Sequence, residues 1–379
     1  MSLADSRLFH PLKVGNVDLQ HRVVLAPLTR FRADDDHVPM PITVDYYAQR
    51  ACVPGTLLIT EATYVSKRGG GMPNVPGIWN KNQIAAWKNI TDAVHKQKSF
   101  IFMQLWALGR VAVPQIARDE GFDIVSSSPV PQANPMSPEI VTPRELTVHE
   151  IKQFIGDFVQ AAKNAMEAGF DGVEIHGAGG YLIDQFTQDT CNRRNDEYGG
   201  SIENRSRFLL EVARGVADAI GAEKVGVRLS PWQSYQGMGI KEPIPQFTHV
   251  ICGLKELKLA YLHLIEARVN GTEDVDKHDS NTPFIEAWGK ISPIILAGGY
   301  TPSSASERLD RQDKEENLLI AFGRHFIPNP DLAYRVKNGI PFVPYDRSLF
   351  YMPKSEKGLA DYPFSAEFIR ENEKGSSAT

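Results

Sequence analysis

Short apolar runs alternate along this chain with stretches whose hydrophobic residues recur at helical spacing. Eight runs stand out: Val23–Ala26, Leu57–Glu61, Phe100–Gln104, Gly172–His176, Val225–Leu229, Tyr261–Ile265, Ile294–Ala297 and Leu318–Phe322. Each is brief and nearly all apolar, the pattern of strands covered on both faces. The helices between them are well marked. Thr147-Val148-His149-Glu150 reads as a capping box, with Leu146 and Ile151 placed as a hydrophobic staple and Gly169 as the stop. Ile151, Phe154, Ile155, Phe158, Val159, Ala162, Ala165 and Met166 trace one face of that helix. Trp87, Ile90 and Val94 form a similar stripe after the second run.

Eight strands alternating with helices predict an α/β fold, a (β/α)8 TIM barrel rather than an open doubly wound sheet. The expected organisation is a single barrel domain over residues 1–370 and a flexible polar tail over 371–379. Two connections are long for such a fold. Residues 107–146, rich in proline and serine, are expected to form an excursion over the barrel mouth, and residues 266–288 a polar, acidic loop after the sixth strand.

Composition works mainly by exclusion. With 42% hydrophobic and 23% charged residues the chain reads as an ordinary globular protein, and a net charge of -5 gives no reason to expect nucleic acid or an anionic membrane as partner. Cys52, Cys191 and Cys252 form no C-x-x-C pair, which argues against a zinc ribbon, an iron–sulfur cluster or a disulfide framework. There is no apolar leader and no run of about 18 apolar residues. The expectation is a cytoplasmic protein, in which Asn89-Ile90-Thr91 and Asn270-Gly271-Thr272 are chance glycosylation triplets. No H-E-x-x-H, Walker loop or G-x-S-x-G occurs and the ten histidines are dispersed, so no metal is expected. His10, His21, His95 and His149 are expected in solvent.

Polar residues gather at the strand ends. The first run leads into Pro27-Leu28-Thr29-Arg30, and the third ends in Gln104 with Trp106 beyond it. The fourth ends in His176, the fifth carries Arg228, and the last two lead into Gly298-Gly299 and Gly323-Arg324. In a barrel these ends share the face that holds the chemistry. Glycines that admit backbone N–H groups, with a forked cation beside them, suit a phosphate. The Gln104 amide and the Arg228 cation suit a flat heterocycle that carries negative charge. The most telling segment starts at Gly172: His176 closes a strand, a glycine turn follows, and Tyr181 adds a second proton-donating group. Gly177-Ala178-Gly179 imitates a dinucleotide fingerprint, but Leu182 occupies its third glycine position. Glu174 is expected to be buried, paired with a cation and structural.

Together these segments resemble the Old Yellow Enzymes, the flavin-dependent ene-reductases. The resemblance rests on APLTR (26–30), DYYAQR (45–50), PGIW (76–79), QLWALGR (104–110) and the H-x-A-x-G-Y signature at 176–181. It continues through RNDEYGGSIENR (194–205), AGGY (297–300), FGRHFIPNPDL (322–332) and Phe350-Tyr351. It implies an FMN protein, monomer or homodimer, that takes hydride from NADPH or NADH and passes it to the β-carbon of an α,β-unsaturated carbonyl compound. It also implies Thr29 on the flavin C4 carbonyl oxygen, Gln104 on the pyrimidine edge, and Pro27, Leu28 and Ala62 lining the ring. Arg228 would sit by N1 and the C2 carbonyl oxygen, where reduction places negative charge. Gly299, Gly323 and Arg324, with Gly298 beside them, would hold the phosphate. His176 would donate to the substrate carbonyl oxygen, Tyr181 would protonate the α-carbon, and Trp106 and Tyr351 would shape the pocket.

One position departs from the family. Asn or His is common at the fourth place of the signature, as a second donor to the carbonyl; Gly179 stands there with no side chain. The expectation is an altered substrate preference with the flavin chemistry retained. A specialised pathway isomerase or reductase of the same flavin fold, and a phosphate-binding barrel enzyme without flavin, are the alternatives.

Overall fold

A computed structural model describes residues 3–310 and 317–376. Eight parallel strands form its centre: β1 (Val23–Leu25), β2 (Leu57–Ile59), β3 (Phe100–Trp106), β4 (Gly172–Gly177), β5 (Val225–Leu229), β6 (Tyr261–Ile265), β7 (Ile294–Ala297) and β8 (Leu318–Phe322). Each pairs with its sequence neighbours, and β8 pairs with β1 to close the barrel. β5 to β8 fall on the residues expected from the hydrophobic pattern. The ring of helices is α1 (Ile42–Arg50), α2 (Lys81–Lys96), α3 (Val148–Glu167), α4 (Ile202–Ile220), α5 (Pro243–Lys255), α6 (Thr282–Trp288), α7 (Pro302–Asp310) and α8 (Leu332–Asn338). Among the described residues no helix is long and apolar enough to cross a membrane.

Local chemistry explains where the main helices begin. The Thr147 hydroxyl accepts from the Glu150 N–H at 3.2 Å while the Glu150 carboxylate accepts from the Thr147 N–H at 2.8 Å, the reciprocal box the sequence announced. Asn80 and Gln83 form a second such box at the start of α2. Ile151, Phe154, Phe158, Ala162 and Ala165 then bury one face of α3, and Trp87, Ile90 and Val94 one face of α2.

The inside of the barrel is divided by strand. Val24, Ala26, Leu57, Ile59, Ile295, Ala297, Leu319 and Ala321 come from β1, β2, β7 and β8 and form one apolar cluster with Phe102 and Tyr261. One step nearer the C-terminal ends, β3 to β6 contribute Gln104, Glu174, Arg228 and His263 instead. An antiparallel hairpin, Leu12–Val14 with Val17–Leu19, adds Val14, Val17 and Leu19 to the apolar cluster and so plugs the opposite end. Gly15 turns this hairpin at φ +55°, and a Cβ on it would lie 1.9 Å from the Glu223 carbonyl oxygen. Alternation in Leu12-Lys13-Val14-Gly15-Asn16-Val17-Asp18-Leu19 around a Gly-Asn turn was the available signal for it.

Three expectations need correction. The tail is helical through Ser376 in a terminal helix, Ala366–Ser376; Tyr334 donates to the Glu371 carboxylate at 2.6 Å and packs its ring on Phe368. Its polar surface hid those two attachments, and residues 377–379 lie outside the described part. The 266–288 segment is not a plain loop: Val269–Asn270 pairs with Glu273–Asp274, and α6 starts at Thr282. The 107–146 connection likewise carries secondary structure of its own, a helix, Pro114–Glu120, and a parallel pair, Val125–Ser126 with Arg144–Glu145, without this touching its expected place as an excursion. Finally, His21 is buried rather than solvated. Its Nδ1 accepts from the Val23 N–H at 3.2 Å, its Nε2 lies 2.9 Å from the Thr56 hydroxyl, and burial lowers its pKa to about 4.

Candidate active site

β4 ends at the barrel mouth and delivers His176 there. The Ala178 N–H donates to His176 Nδ1 at 3.3 Å, so the ring proton belongs on Nε2. Burial, reinforced by the nearby Arg228 and His263, drives the imidazole well below its ordinary pKa. His176 is therefore a neutral N–H donor at physiological pH. Tyr181 lies against it, ring centroids 5.0 Å apart at 75°, and Trp106 packs edge-on to Tyr181 at 4.6 Å. Burial, then the neighbouring Tyr235, pushes the Tyr181 phenol well above its usual pKa and keeps it protonated.

The turn joining the two residues needs its glycines. Gly179 and Gly180 have φ of +67° and +76°. The Gly180 N–H donates to Asp184 at 2.9 Å, Gln185 Nε2 donates to the Gly180 carbonyl at 2.8 Å, and the Gly179 N–H donates to the Ser230 hydroxyl at 2.8 Å. A Cβ on Gly179 would stand 3.3 Å from the Tyr181 ring and 3.9 Å from His176 Cε1. A side chain there would adjoin both groups, and its first carbon would already press on the Tyr181 ring.

A hydrogen-bonded polar group lies beside this pair. The Glu174 carboxylate accepts from Gln104 Nε2 at 2.7 Å and from His263 Nδ1 at 2.8 Å. Strand register sets Arg228 opposite His176 on β4 and His263 on β6. The Arg228 guanidinium is half-buried, and its Nε is a buried donor with no partner among the described residues. Glu174 is buried, as expected; its partner His263 was missed, because a lone histidine in Tyr261-Leu262-His263-Leu264-Ile265 reads as core packing.

The exits of β1 and β2 form the opposite wall. Pro27 and Ala62 are buried, while Leu28 and Thr29 are partly exposed. The buried Glu61 carboxylate accepts from the Arg30 N–H at 3.1 Å and ties the two exits together. Burial pushes its pKa up to about 7 against the pull of Arg30 and Arg32.

The phosphate-suited turns also meet. Gly298 and Gly299 take φ of +128° and +62°, and a Cβ on Gly323 would touch Leu28 Cδ2 at 3.2 Å. Arg324, expected at the phosphate, already has a partner: its guanidinium donates twice to Asp274, 2.8 Å from Nη1 to Oδ2, so that carboxylate stands at the anion cradle. A second cation, missed in the sequence, joins it. Arg268 Nε donates to the Gly298 carbonyl at 2.6 Å, and Arg268 Nη2 is a buried donor without a partner among the described residues. Unpartnered cationic donors beside bare glycine backbone suit a heterocycle that bears a phosphate.

Tyr351 belongs to a segment at the rim. It is 45% exposed and packs on Phe31 at 5.6 Å, so it edges the site more than it walls it. Three buried arginines grip that segment by its carbonyl oxygens. Arg30 donates to Phe350 and Gly358, Arg32 to Leu349, Phe350, Ser355 and Lys357, and Arg50 to Leu359. The structure thus gathers His176, Tyr181, Trp106 and Gly179, sets Gln104 and Arg228 beside them, and groups Gly299 with Arg324.

Comparisons with known proteins agree with this geometry. The family described as "NADH:flavin oxidoreductase / NADH oxidase family" matches residues 7–342. The chain is similar to the NADP-dependent oxidoreductase lnbE of Aspergillus flavus, 56% identical over 372 residues that cover 96% of this chain and 98% of lnbE. It is equally similar to the chanoclavine-I aldehyde reductase fgaOx3 of Penicillium roqueforti, 56% identical over 364 residues, 96% of this chain and 98% of fgaOx3. Among solved structures, the Old Yellow Enzyme from Pichia sp. AKU4542 superposes with a TM-score of 0.89 at 38% identity, covering 96% of this chain and 95% of that one.

Proposed function

The chain belongs to the NADH:flavin oxidoreductase family, with Old Yellow Enzymes as its structural neighbours, and from that premise we propose that it reduces the activated C=C bond of an α,β-unsaturated aldehyde or related carbonyl compound. FMN is its cofactor and NADPH or NADH its reductant. The residues fit the cofactor: the unpartnered donors Arg228 Nε and Arg268 Nη2 call for acceptor atoms, which the pyrimidine edge and phosphate of FMN possess. When bound, FMN supplies hydride-transfer chemistry. Thr29, Gln104 and Arg228 hold the heterocycle's polar edge, and Pro27, Leu28 and Ala62 line its ring. Gly298, Gly299, Gly323 and Arg324 receive the phosphate, for which Arg324 exchanges the Asp274 carboxylate.

The observation that carries the proposal is the tautomer of His176. With Nδ1 occupied by the Ala178 N–H, Nε2–H is the donor that holds the substrate carbonyl oxygen and draws electron density from the conjugated C=C. Tyr181, protonated and beside His176, would give its proton to the α-carbon and regain one from solvent. Trp106 and Tyr351 confine the substrate. Gly179 favours a narrow range within this chemistry, since the carbonyl is held by one side-chain donor. The aldehyde preference is supported by the name of fgaOx3.

The test is an anaerobic reaction of the NADPH-reduced holoenzyme with a conjugated aldehyde and with a simple cyclic enone. Saturation of the C=C with the aldehyde intact supports the proposal, and faster reaction of the aldehyde supports the preference. An unsaturated alcohol as product, or no product, overturns it.

A further inference from the structure

Glu174 and His263 have no role so far beyond their own contacts. Glu174 lies on β4 two residues before His176, so the two side chains point to the same side, into the barrel. Register sets Gln104 opposite Glu174 across the β3–β4 pair. Glu174 and His263 are fully buried and Gln104 nearly so. A carboxylate only accepts hydrogen bonds, so it dictates that the Nε2 end of the Gln104 amide faces it and leaves Oε1 as the free acceptor. The same logic puts the His263 proton on Nδ1.

The charges of the group follow from its burial. Burial pushes the Glu174 carboxyl up, but His263, Arg228 and Gln104 outweigh it and hold it below the usual carboxylate range. Burial keeps His263 below the usual imidazole range despite Glu174. A neutral His263 leaves at Nε2 only a lone pair without a partner among the described residues; a charged ring would leave a buried cationic N–H there, at greater cost. The charges of the group are then those of the buried Glu174 and the half-buried Arg228, one of each sign.

We propose that Glu174, anchored by His263, is a positioning residue for FMN: it orients the Gln104 amide and offsets the charge of Arg228, and so sets the cofactor's reduction potential. The proposal rests on the cofactor assignment but not on the substrate. A guanidinium with no counter-charge would favour the reduced cofactor, whose pyrimidine edge carries negative charge. The Glu174 carboxylate opposes that pull and keeps the potential lower. It also keeps Gln104 Oε1 turned toward an N–H donor of the heterocycle.

Glu174→Gln preserves shape and removes the charge. Titrated anaerobically against a reference dye as the FMN-loaded protein, it should show a higher midpoint potential, with the reduced form favoured about tenfold more, a shift of about 30 mV for a two-electron couple. His263→Gln keeps a neutral donor to the carboxylate and should leave the potential near that of the parent. Glu174→Asp withdraws the charge by one methylene, should shift the potential less in the same direction, and serves if the Gln variant does not fold. An unmoved potential in the folded Glu174 variant, or an equal rise in His263→Gln, overturns the proposal. A parent protein that takes up no FMN overturns the cofactor assignment with it. A parent that carries FMN yet reduces no unsaturated carbonyl overturns only the substrate reading.

Discussion

Two halves of one barrel interior differ more than their shared strand geometry suggests. β1, β2, β7 and β8 line it with Val24, Leu57, Ile295 and Leu319, in contact with one another and sealed below by the hairpin. β3 to β6 line it with Gln104, Glu174 and His263, joined by hydrogen bonds, and with Arg228 beside them, and among the described residues polar atoms of Arg228 and His263 are left without a partner. The first half is complete in itself; the second has valences to spare. Inside the barrel, apolar packing and polar chemistry thus fall to different strands, and substitutions in the two halves of that interior should fail in different ways.

The sharpest contrast comes from Tyr181→Phe, which removes the proton donor and keeps the ring that packs on Trp106. Reduction of an unsaturated aldehyde should fall on the order of a hundredfold to ten-thousandfold, as for loss of a general acid. Reduction by NADPH should stay near the parent rate, both read by stopped flow. A slowed NADPH step would mean that the polar half cannot be separated into cofactor and substrate parts. In the apolar half, Ile295→Ala should cost about 2–5 kcal/mol of unfolding free energy, measured by denaturant titration. Its FMN reduction rate should scarcely change, and a large kinetic effect would break the division between halves.

Gly179→Asn tests the missing second donor. Asn tolerates the left-handed backbone at φ +67° better than most residues and would place an amide beside both His176 and Tyr181. Turnover of simple cyclic enones should rise about tenfold, in keeping with one added donor; an unchanged or lower rate would show that another group already fills that role. Asp274→Ala should tighten FMN binding a few-fold, followed by flavin fluorescence, because Arg324 would no longer exchange a carboxylate for the phosphate. Weaker binding would instead make Asp274 a support of the cradle.

The smallest effect expected is a flat pH profile. His176 is held well below its ordinary pKa by burial, so it gains a proton only in acid; Tyr181 is held well above its own, so it loses one only in strong base. Between roughly pH 7 and 9 neither group titrates, and the rate of substrate reduction should not vary. A bell with a limb near pH 6.5 would show that His176 titrates like an exposed imidazole. His21 supplies a stability counterpart: its folded pKa of about 4 lies below the unfolded value, so stability should fall as pH drops from about 6.5 toward 4.

The fold was legible because strands covered on both faces leave unbroken apolar runs, and β5 to β8 sit on those runs residue for residue. His176, Gln104 and Arg228 stood out because each closes or interrupts such a run with a polar group, and Tyr181 because it follows the glycine turn beyond one. Less was visible where function depends on a pairing between distant strands. His263 becomes meaningful only when register brings it to Glu174, 89 positions away. Asp274 sits in a stretch with no hydrophobic pattern to fix its place. Arg30 and Arg50 were part of recognisable strings and Arg32 of none, yet the targets of all three are backbone carbonyls, which every residue carries and no sequence marks.

That last arrangement bears on how the rim of this protein can diversify. A segment held through main-chain oxygens is indifferent to which side chains it displays. Substitutions from Tyr351 to Lys354 would alter what an incoming molecule meets while the three arginines keep the same hold. Selection is therefore free to retailor the doorway without reopening the question of whether the frame stands.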